Sequence, residues 1–300
     1  KFQSEEAGIV DAIGSEEQIL AEIRQLISII PANNEDDMSY EECNDDLNRL
    51  CENIENAAAD TKVALSQISD NHFFLETKRD YAKDMVTGFI RLNGITVGAV
   101  ANRREVYDEN GIIMERFDGR LSSKASGKAA EFVNFCDAFN IPVLSLTNVN
   151  GYKATIDDEK TIAKAVAKLT YAFANATVPK VNVIIGEALG SSYLTMNSKS
   201  IGADIVFAWP TASIGMMDAK EAVKIMYAEE IKDSVDSVSL LTKKTEEYAS
   251  LQSSVESAAS RGYVDDIISP QDTRKYIIGA FEMLFTKRED RPRKKHGCVL

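Results

Sequence analysis

Ile141-Pro142-Val143-Leu144-Ser145-Leu146-Thr147-Asn148-Val149-Asn150-Gly151 opens with an apolar run and closes in a glycine turn. The run from Ile141 to Leu146 is too short for a buried helix, so it predicts a strand buried on both faces, with Asn148 to Gly151 as its turn. The same grammar repeats on either side. A helix expected from about Ser123 to Phe139 precedes Ile141, and another from about Asp157 to Asn175 follows the turn. A second buried strand, Lys180 to Ile185, then enters a turn from Gly186 to Ser192 and a short helix ending near Ser198. Strand, glycine turn and helix in repetition describe an α/β fold with right-handed crossovers.

Working outward, Val86 to Leu92 and Ile95 to Ala101 flank Asn93-Gly94, the two-residue signal of a β-hairpin. Downstream, Ile205 to Ala208 and Ser213 to Met216 read as short strands, and Asp218 as the cap of a helix reaching about Glu229. Glu230 to Ala259 is expected as one long surface helix, and Val264 to Ile268 as a late strand; Trp209 and Met216-Met217 are expected in the core. Near the N-terminus, Ser15 precedes Glu16, Glu17 and the apolar positions Ile19, Leu20, Ile23, Leu26, Ile27 and Ile30. That pattern is a capped amphipathic helix with acids in its first turn, stopped by Pro31. Pro31 to Asp37 reads as a linker into acidic, poorly periodic sequence, and a boundary falls near residue 60.

Composition narrows the function. The 300 residues carry a formal net charge of -13, with 47 acidic against 34 basic side chains. Nucleic-acid binding needs a basic face to displace counterions, so no nucleic-acid partner is expected. The basic run Arg291-Pro292-Arg293-Lys294-Lys295-His296 reads as a solvated tail. No apolar run is long enough to span a bilayer, the first residues form no signal peptide, and the opening Lys1 points to a fragment or processed product. Cys43, Cys51, Cys136 and Cys298 lack zinc spacing, and His72 and His296 are the histidines. No metal is therefore expected, nor a disulfide scaffold; the expectation is a reduced, cytoplasmic protein.

In parallel α/β sheets, ligands bind where strand ends feed helix starts. Two turns fit: Asn148 to Tyr152, and Gly190-Ser191-Ser192-Tyr193. Glycine lets backbone approach a ligand, and the free amides of a helix start suit an oxyanion, each well-placed donor contributing roughly 3 kcal/mol to a transition state. On pattern alone, ordinary loops in which Gly151 and Gly190 serve only turn geometry stand ahead of that reading. Ser191 and Ser192 have no histidine nearby in sequence and no Gly-x-Ser-x-Gly elbow, which speaks against a serine nucleophile. Ser126-Gly127-Lys128-Ala129 lacks the rest of a phosphate loop and reads as helix, while Asp157-Asp158 and Asp265-Asp266 read as solvated caps rather than metal ligands.

Several longer blocks are more specific. Phe132-Val133-Asn134-Phe135-Cys136-Asp137-Ala138-Phe139-Asn140-Ile141-Pro142 resembles a run in the β subunits of biotin-dependent acyl-CoA carboxyltransferases, the propionyl-CoA and methylmalonyl-CoA group. Tyr81-Ala82-Lys83, Gly88-Phe89, Arg91-Leu92-Asn93-Gly94, Tyr171-Ala172-Phe173-Ala174 and Val178-Pro179-Lys180-Val181 are also similar to that family. So are Ala208-Trp209-Pro210-Thr211-Ala212, Arg261-Gly262-Tyr263-Val264-Asp265-Asp266-Ile267-Ile268 and the ending Arg291 to His296. The blocks keep family order from about residue 73 to 296, and Gly8 to Asn34 resembles the last helix of the family's N-terminal half.

The resemblance implies an α/β, crotonase-like (ClpP/crotonase) spiral of ββα units. Residues 1–34 would be a remnant of the acyl-CoA-binding N-terminal half, 35–60 a linker, and 61–300 the biotin-binding C-terminal domain. It implies a homo-oligomer, a dimer or trimer of dimers, with each active site between halves of two subunits. Carboxybiotin releases carbon dioxide, its nitrogen takes the α-proton, and the enolate of a short acyl-CoA captures the carbon dioxide, with paired backbone donors holding the oxyanions. Gly190, Ser191 and Ser192 match the catalytic donor turn, usually Gly-Ala at the serines, and Gly151 and Tyr152 match the Gly-Phe of a turn near the biotin pocket. This gives the two glycine turns a purpose.

The family's Asp-Val-Pro-Gly-Phe is here Asn148-Val149-Asn150-Gly151-Tyr152, Lys153-Ala154-Thr155 lacks a glycine often found there, and Leu194 stands where propionyl-CoA enzymes usually carry Asp near the acyl pocket. Leu194 is thus a candidate substrate-contacting residue. No Ala-Met-Lys-Met biotinylation motif occurs, so a separate biotin carboxyl carrier protein is the implied partner, with biotin carboxylase beyond it. A carboxyacyl-CoA decarboxylase, a crotonase-fold acyl-CoA hydratase or isomerase without biotin, and a non-catalytic scaffold subunit remain as alternatives.

Overall fold

The computed structural model describes residues 1–34, 40–108, 110–289 and 291; residues 35–39 of the expected linker, and Pro292 to His296 and Cys298 of the tail, lie outside the described residues. After a single turn, α1 (Phe2–Glu5), comes α2 (Glu16–Ile29). Ser15 Oγ accepts the Gln18 amide and the Gln18 side chain accepts the Ser15 amide, a reciprocal capping box. Two short helices the sequence reading left out, α3 (Ile54–Ala57) and α4 (Thr61–Ile68), then lead into β1 (Leu75–Thr77).

The hairpin forms as expected from β2 (Met85–Leu92) and β3 (Ile95–Asn102). Asn93 and Gly94 take φ of 49° and 78°, the paired positive values of a tight hairpin turn that Asn-Gly tolerates best. A side hairpin, β4 (Glu105–Tyr107) and β5 (Ile113–Arg116), precedes α5 (Ser123–Ala138), which Ser122 caps. Next come β6 (Val143–Val149), α6 (Ile156–Asn175) capped by Thr155, β7 (Lys180–Leu189) and α7 (Gly190–Thr195). The chain continues through β8 (Ile205–Ala208), β9 (Ser213–Gly215), α8 (Ala219–Met226), α9 (Ala228–Asp233), α10 (Ser237–Tyr248), α11 (Val255–Ser260), β10 (Asp266–Ile267) and α12 (Thr273–Leu284).

Among the described residues, the main sheet runs β1-β2-β3-β6-β7-β8-β10, with β9 added to the end of β7. It is antiparallel from β1 to β3 and parallel from β3 onward. Alternation sends Phe89, Val143, Ile184 and Val206 to one face, under Val133 of α5 and Phe173 of α6. Ile90, Leu144, Val183 and Phe207 go to the other, under Leu65 of α4 and Ile277 of α12. Cys51, Ile54 and Ala57 join this second core. Each such fully buried side chain contributes about 1.5–3 kcal/mol, which is why central strands covered on both faces read as continuous apolar runs.

Three expectations change. Glu230 to Ala259 is not one helix: it breaks around Asp236 and Ser254, whose side chains accept the amides of Ser239 and Ser257 and restart the helix as N-caps. Met216 and Met217 are 80% and 40% exposed, whereas Trp209 is buried and donates its indole N–H to Thr273 Oγ1 at 2.9 Å. β6 and β7 run further than expected, to Val149 and Leu189, carrying strand into both glycine turns. No helix among the described residues is long and apolar enough to cross a membrane.

Candidate active site

β6 and β7 are parallel neighbours, and after an irregularity past Thr147 their register pairs Val149 with Ala188. Adjacent strands lie about 4.8 Å apart, so the two glycine turns leave the same sheet edge side by side. The first is pinned from beneath: the Asn150 amide donates to Gly119 O at 3.1 Å, the Leu121 amide to Gly151 O at 2.9 Å, and the Lys153 amide to Leu121 O at 3.0 Å. Tyr152 packs against the core, half-buried, while nothing lies within 4 Å of where a Gly151 Cβ would stand. The backbone there is open to a ligand.

The second turn bends at Gly190, with φ of 63°. A β-carbon there would sit 3.1 Å from Met216 O, so both backbone conformation and space favour glycine. α7 starts without a side-chain cap, so the amides of Ser191 and Ser192 find no partner inside their helix. Behind them, Thr147 Oγ1 donates to Asn182 Oδ1 at 2.8 Å and lies 3.3 Å from Met196 O at the end of α7. Leu194 is exposed on the same short helix.

Side-chain nucleophilic chemistry finds no support here. Buried Ser192 donates its hydroxyl to Leu189 O at 2.8 Å, which commits its proton. Burial pushes the Tyr193 hydroxyl up to about 12, keeping it neutral. His72 contacts Ser66 O beside α4, not α7. What the turn offers is a pair of backbone donors.

Between the turns lies a polar cluster that sequence reasoning missed. Arg104, just past β3, places Nη2 2.5 Å from Glu187 Oε2 and 3.0 Å from Asn148 Oδ1. Asn148 Oδ1 also accepts the Glu187 amide at 3.1 Å, and the Asn148 amide donates to Asn102 Oδ1 at 3.1 Å. Asn150 Nδ2 reaches the same Glu187 Oε2 at 3.2 Å. The available signal was Arg103-Arg104 directly after an apolar strand, where a solvated loop needs no paired cations. Glu187 was hidden because Gly186 made it look like loop.

The other candidates fall away from this edge. Lys128 lies inside α5 and is buried; its Nζ donates to the carbonyls of Lys78, Tyr81 and Met85 at 2.7–2.9 Å, and burial lowers its pKa to about 8. Asp158 accepts the Ser123 amide and pairs with Thr155 at the start of α6, and Asp265 pairs with Lys199. No group of three or more potential metal-ligating side chains occurs among the described residues.

Residues 3–299 match the family model of the carboxyl transferase domain. The chain is 41% identical over 281 residues to the methylmalonyl-CoA carboxyltransferase 12S subunit of Propionibacterium freudenreichii subsp. shermanii, covering 91% of this chain and 52% of that protein. It is 39% identical over 286 residues to the methylmalonyl-CoA decarboxylase subunit alpha of Propionigenium modestum, covering 93% of this chain and 53% of that one. The crystal structure of transcarboxylase 12S, described as a hexamer with methylmalonyl-coenzyme A and methylmalonic acid bound, superposes with a TM-score of 0.90 at 37% identity. That superposition covers 99% of this chain and 57% of the other. The chain thus spans about half the length of the curated relatives it matches.

Proposed function

This chain belongs to the carboxyl transferase domain family and has its crotonase-like fold, and from that premise we propose that it is the biotin-facing half of a biotin-dependent acyl-CoA carboxyltransferase. The observation that carries the reading is the start of α7: Gly190 turns the chain at φ of 63°, α7 has no side-chain cap, and the adjacent Ser191 and Ser192 amides, in its first turn, are without helical partners. Paired backbone N–H groups of this kind stabilise charge developing on oxygen, where removing one donor commonly costs 10²–10³ in rate.

The residues present fit biotin. The Gly151 backbone is open, Tyr152 offers an aromatic wall, and the neighbouring Gly190 turn supplies donors. Carboxybiotin, when bound, supplies the carboxyl group and the nitrogen that takes the substrate α-proton. The chain itself then has three tasks: Gly151 and Tyr152 seat the ring, the Ser191 and Ser192 amides hold an oxyanion, and exposed Leu194 meets the acyl portion. None of these needs a side-chain base, consistent with a spent Ser192 hydroxyl and a neutral Tyr193.

We read 61–300 as the C-terminal carboxyltransferase domain, 1–34 as the remnant of the acyl-CoA-binding half, and 35–60 as a connection whose Ile54 and Ala57 pack into the second core. A biotin carboxyl carrier protein, biotin carboxylase and a homo-oligomeric dimer or trimer of dimers complete the proposed assembly. The likeness to a methylmalonyl-CoA decarboxylase subunit favours a second direction, decarboxylation, through the same turns. The test is loss of the carboxyl group from methylmalonyl-CoA and malonyl-CoA by the full-length protein, with and without free biotin. Biotin-dependent turnover is expected; crotonyl-CoA hydration without biotin, or no turnover by a folded oligomer, overturns the reading.

A further inference from the structure

We propose that Arg104 and Glu187 form a latch that fixes the Gly151 turn against the Gly190 turn and so positions the Ser191 and Ser192 donors. The role rests on the carboxyltransferase reading; the latch itself does not. One guanidinium and one carboxylate tie the Gly151 turn to the end of β7, the strand that leads into the Gly190 turn. Arg104 Nη2 holds Glu187 Oε2 at 2.5 Å on the β7 side and Asn148 Oδ1 at 3.0 Å on the β6 side. Glu187 answers with its backbone amide to Asn148 Oδ1 at 3.1 Å and with Oε2 to Asn150 Nδ2 at 3.2 Å. Asn102 ties the third strand end in through the Asn148 amide at 3.1 Å. Side chains thereby join the ends of β3, β6 and β7, past the last β3–β6 pair and beside the register irregularity between β6 and β7.

Two glycines make room for it. A side chain at Gly119 would collide with the Arg104 guanidinium, and a β-carbon at Gly186 would stand 2.6 Å from Asn148 Oδ1. An ordinary surface pair contributes about 0–1 kcal/mol and fixes little, because two solvated side chains hold each other alone. Here the side chains of Arg104 and Glu187 are 25% and 38% exposed, and each also bonds an amide side chain of the neighbouring turn. Glu187 stands three residues before Gly190 on the same extended strand, so a shift of its backbone displaces the donors beyond it. Misplacement by about 1 Å at a reacting centre can cost 10²-fold in rate. Arg104 and Glu187 are positioning residues; they act through the turns.

The test compares full-length wild type with Arg104→Gln, Glu187→Gln, the double variant and Arg104→Lys. Two readouts are taken: biotin-dependent methylmalonyl-CoA decarboxylation, and amide hydrogen exchange of the peptides spanning 148–153 and 187–193. Each single Gln variant is expected to lower kcat at least tenfold with KM changed less than about threefold, and the double to be no worse than the poorer single. Either single variant should speed exchange in both peptides together, with Arg104→Lys restoring part of both effects. Faster exchange confined to the altered residue's own turn, additive losses, or unchanged kcat overturns the proposal. If the wild type shows no turnover, the functional reading falls, and the exchange experiment still decides whether the latch exists.

Discussion

Arg274→Met removes a cation that is wholly buried at the start of α12. Its Nη1 donates to Ile68 O at 2.8 Å, closing the end of α4, and its Nη2 lies 2.7 Å from Asp70 Oδ1 as an ion contact without hydrogen-bond alignment. Asp70 in turn accepts the Gly94 amide at 2.8 Å and the Asn93 amide at 3.2 Å, so this one cation couples α12, α4 and the β2–β3 turn. Methionine keeps most of the apolar stem, which leaves little cavity; the loss is a buried carboxylate without its cation. Breaking a buried pair from one side costs about 3–5 kcal/mol, and the poor alignment of Nη2 puts this case near 3. At about 2–4 °C per kcal/mol for a chain of this size, the melting temperature should fall by roughly 6–12 °C. The single Trp209, bonded to Thr273 next to Arg274, reports the transition by its fluorescence. Asp70→Asn combined with Arg274→Met should cost about 1–3 kcal/mol less than the two singles added, because the stranded charge is gone. A melting temperature within 2 °C of wild type for Arg274→Met, or strict additivity in the double, would refute the reasoning.

Three further outcomes are expected. Burial would raise the Asp45 carboxyl, but hydrogen bonds from Arg49 and the Asn71 amide, with the Arg274 charge, hold it down to about 2. Its contribution of about 2 kcal/mol is therefore fully present above about pH 4 and lost as pH falls towards 2; denaturant titrations should show a flatter acid limb in Asp45→Asn. Gly190→Ala meets a positive φ that costs a non-glycine residue about 1–2 kcal/mol and a Met216 carbonyl 3.1 Å away, so turnover should drop at least tenfold. Gly262→Ala is the control: at φ of 80° with nothing within 4 Å it should lose similar stability and keep turnover. Cys136 is fully buried and burial pushes its thiol far up, so a thiol reagent read by peptide mass spectrometry should modify it only on unfolding.

The parallel core was legible because two-sided burial writes strands as unbroken apolar runs, as in Ile141 to Leu146 and Lys180 to Ile185. Asn93-Gly94 and Ser15 were legible because their signals are local: positive φ in one, a side-chain oxygen reaching its own helix in the other. What escaped depends on partners distant in sequence. The inward place of Arg274 at the start of α12 has no local signal, because it depends on Asp70 being brought opposite it. Met216 and Met217 look like core residues in composition and lie exposed beside the Gly190 turn. At the site, both glycine turns were visible as interruptions of apolar strand, whereas Arg104 and Glu187 acquire meaning only when β3, β6 and β7 stand side by side.

The departures from the family's turn bear on whether this edge is rebuilt or decayed. Where relatives resembled in sequence carry Asp-Val-Pro-Gly-Phe, this chain has Asn148-Val149-Asn150-Gly151-Tyr152. Proline fixes a turn by locking φ and has no N–H to give. Asn150 fixes the same point differently, donating its amide to Gly119 O at 3.1 Å and its side chain to Glu187 at 3.2 Å. Asn148 in place of the acid accepts from both Arg104 and the Glu187 amide. In the donor turn, Ser192 spends its added hydroxyl on Leu189 O and Ser191 turns outward, so serine takes away no backbone donor. Drift in an idle subunit would leave such positions unrelated to one another. Here the replacements interlock through one guanidinium and one carboxylate and α7 starts uncapped, which is what the proposed donor turn requires: hydrogen bonds hold it where the resembled family uses a ring.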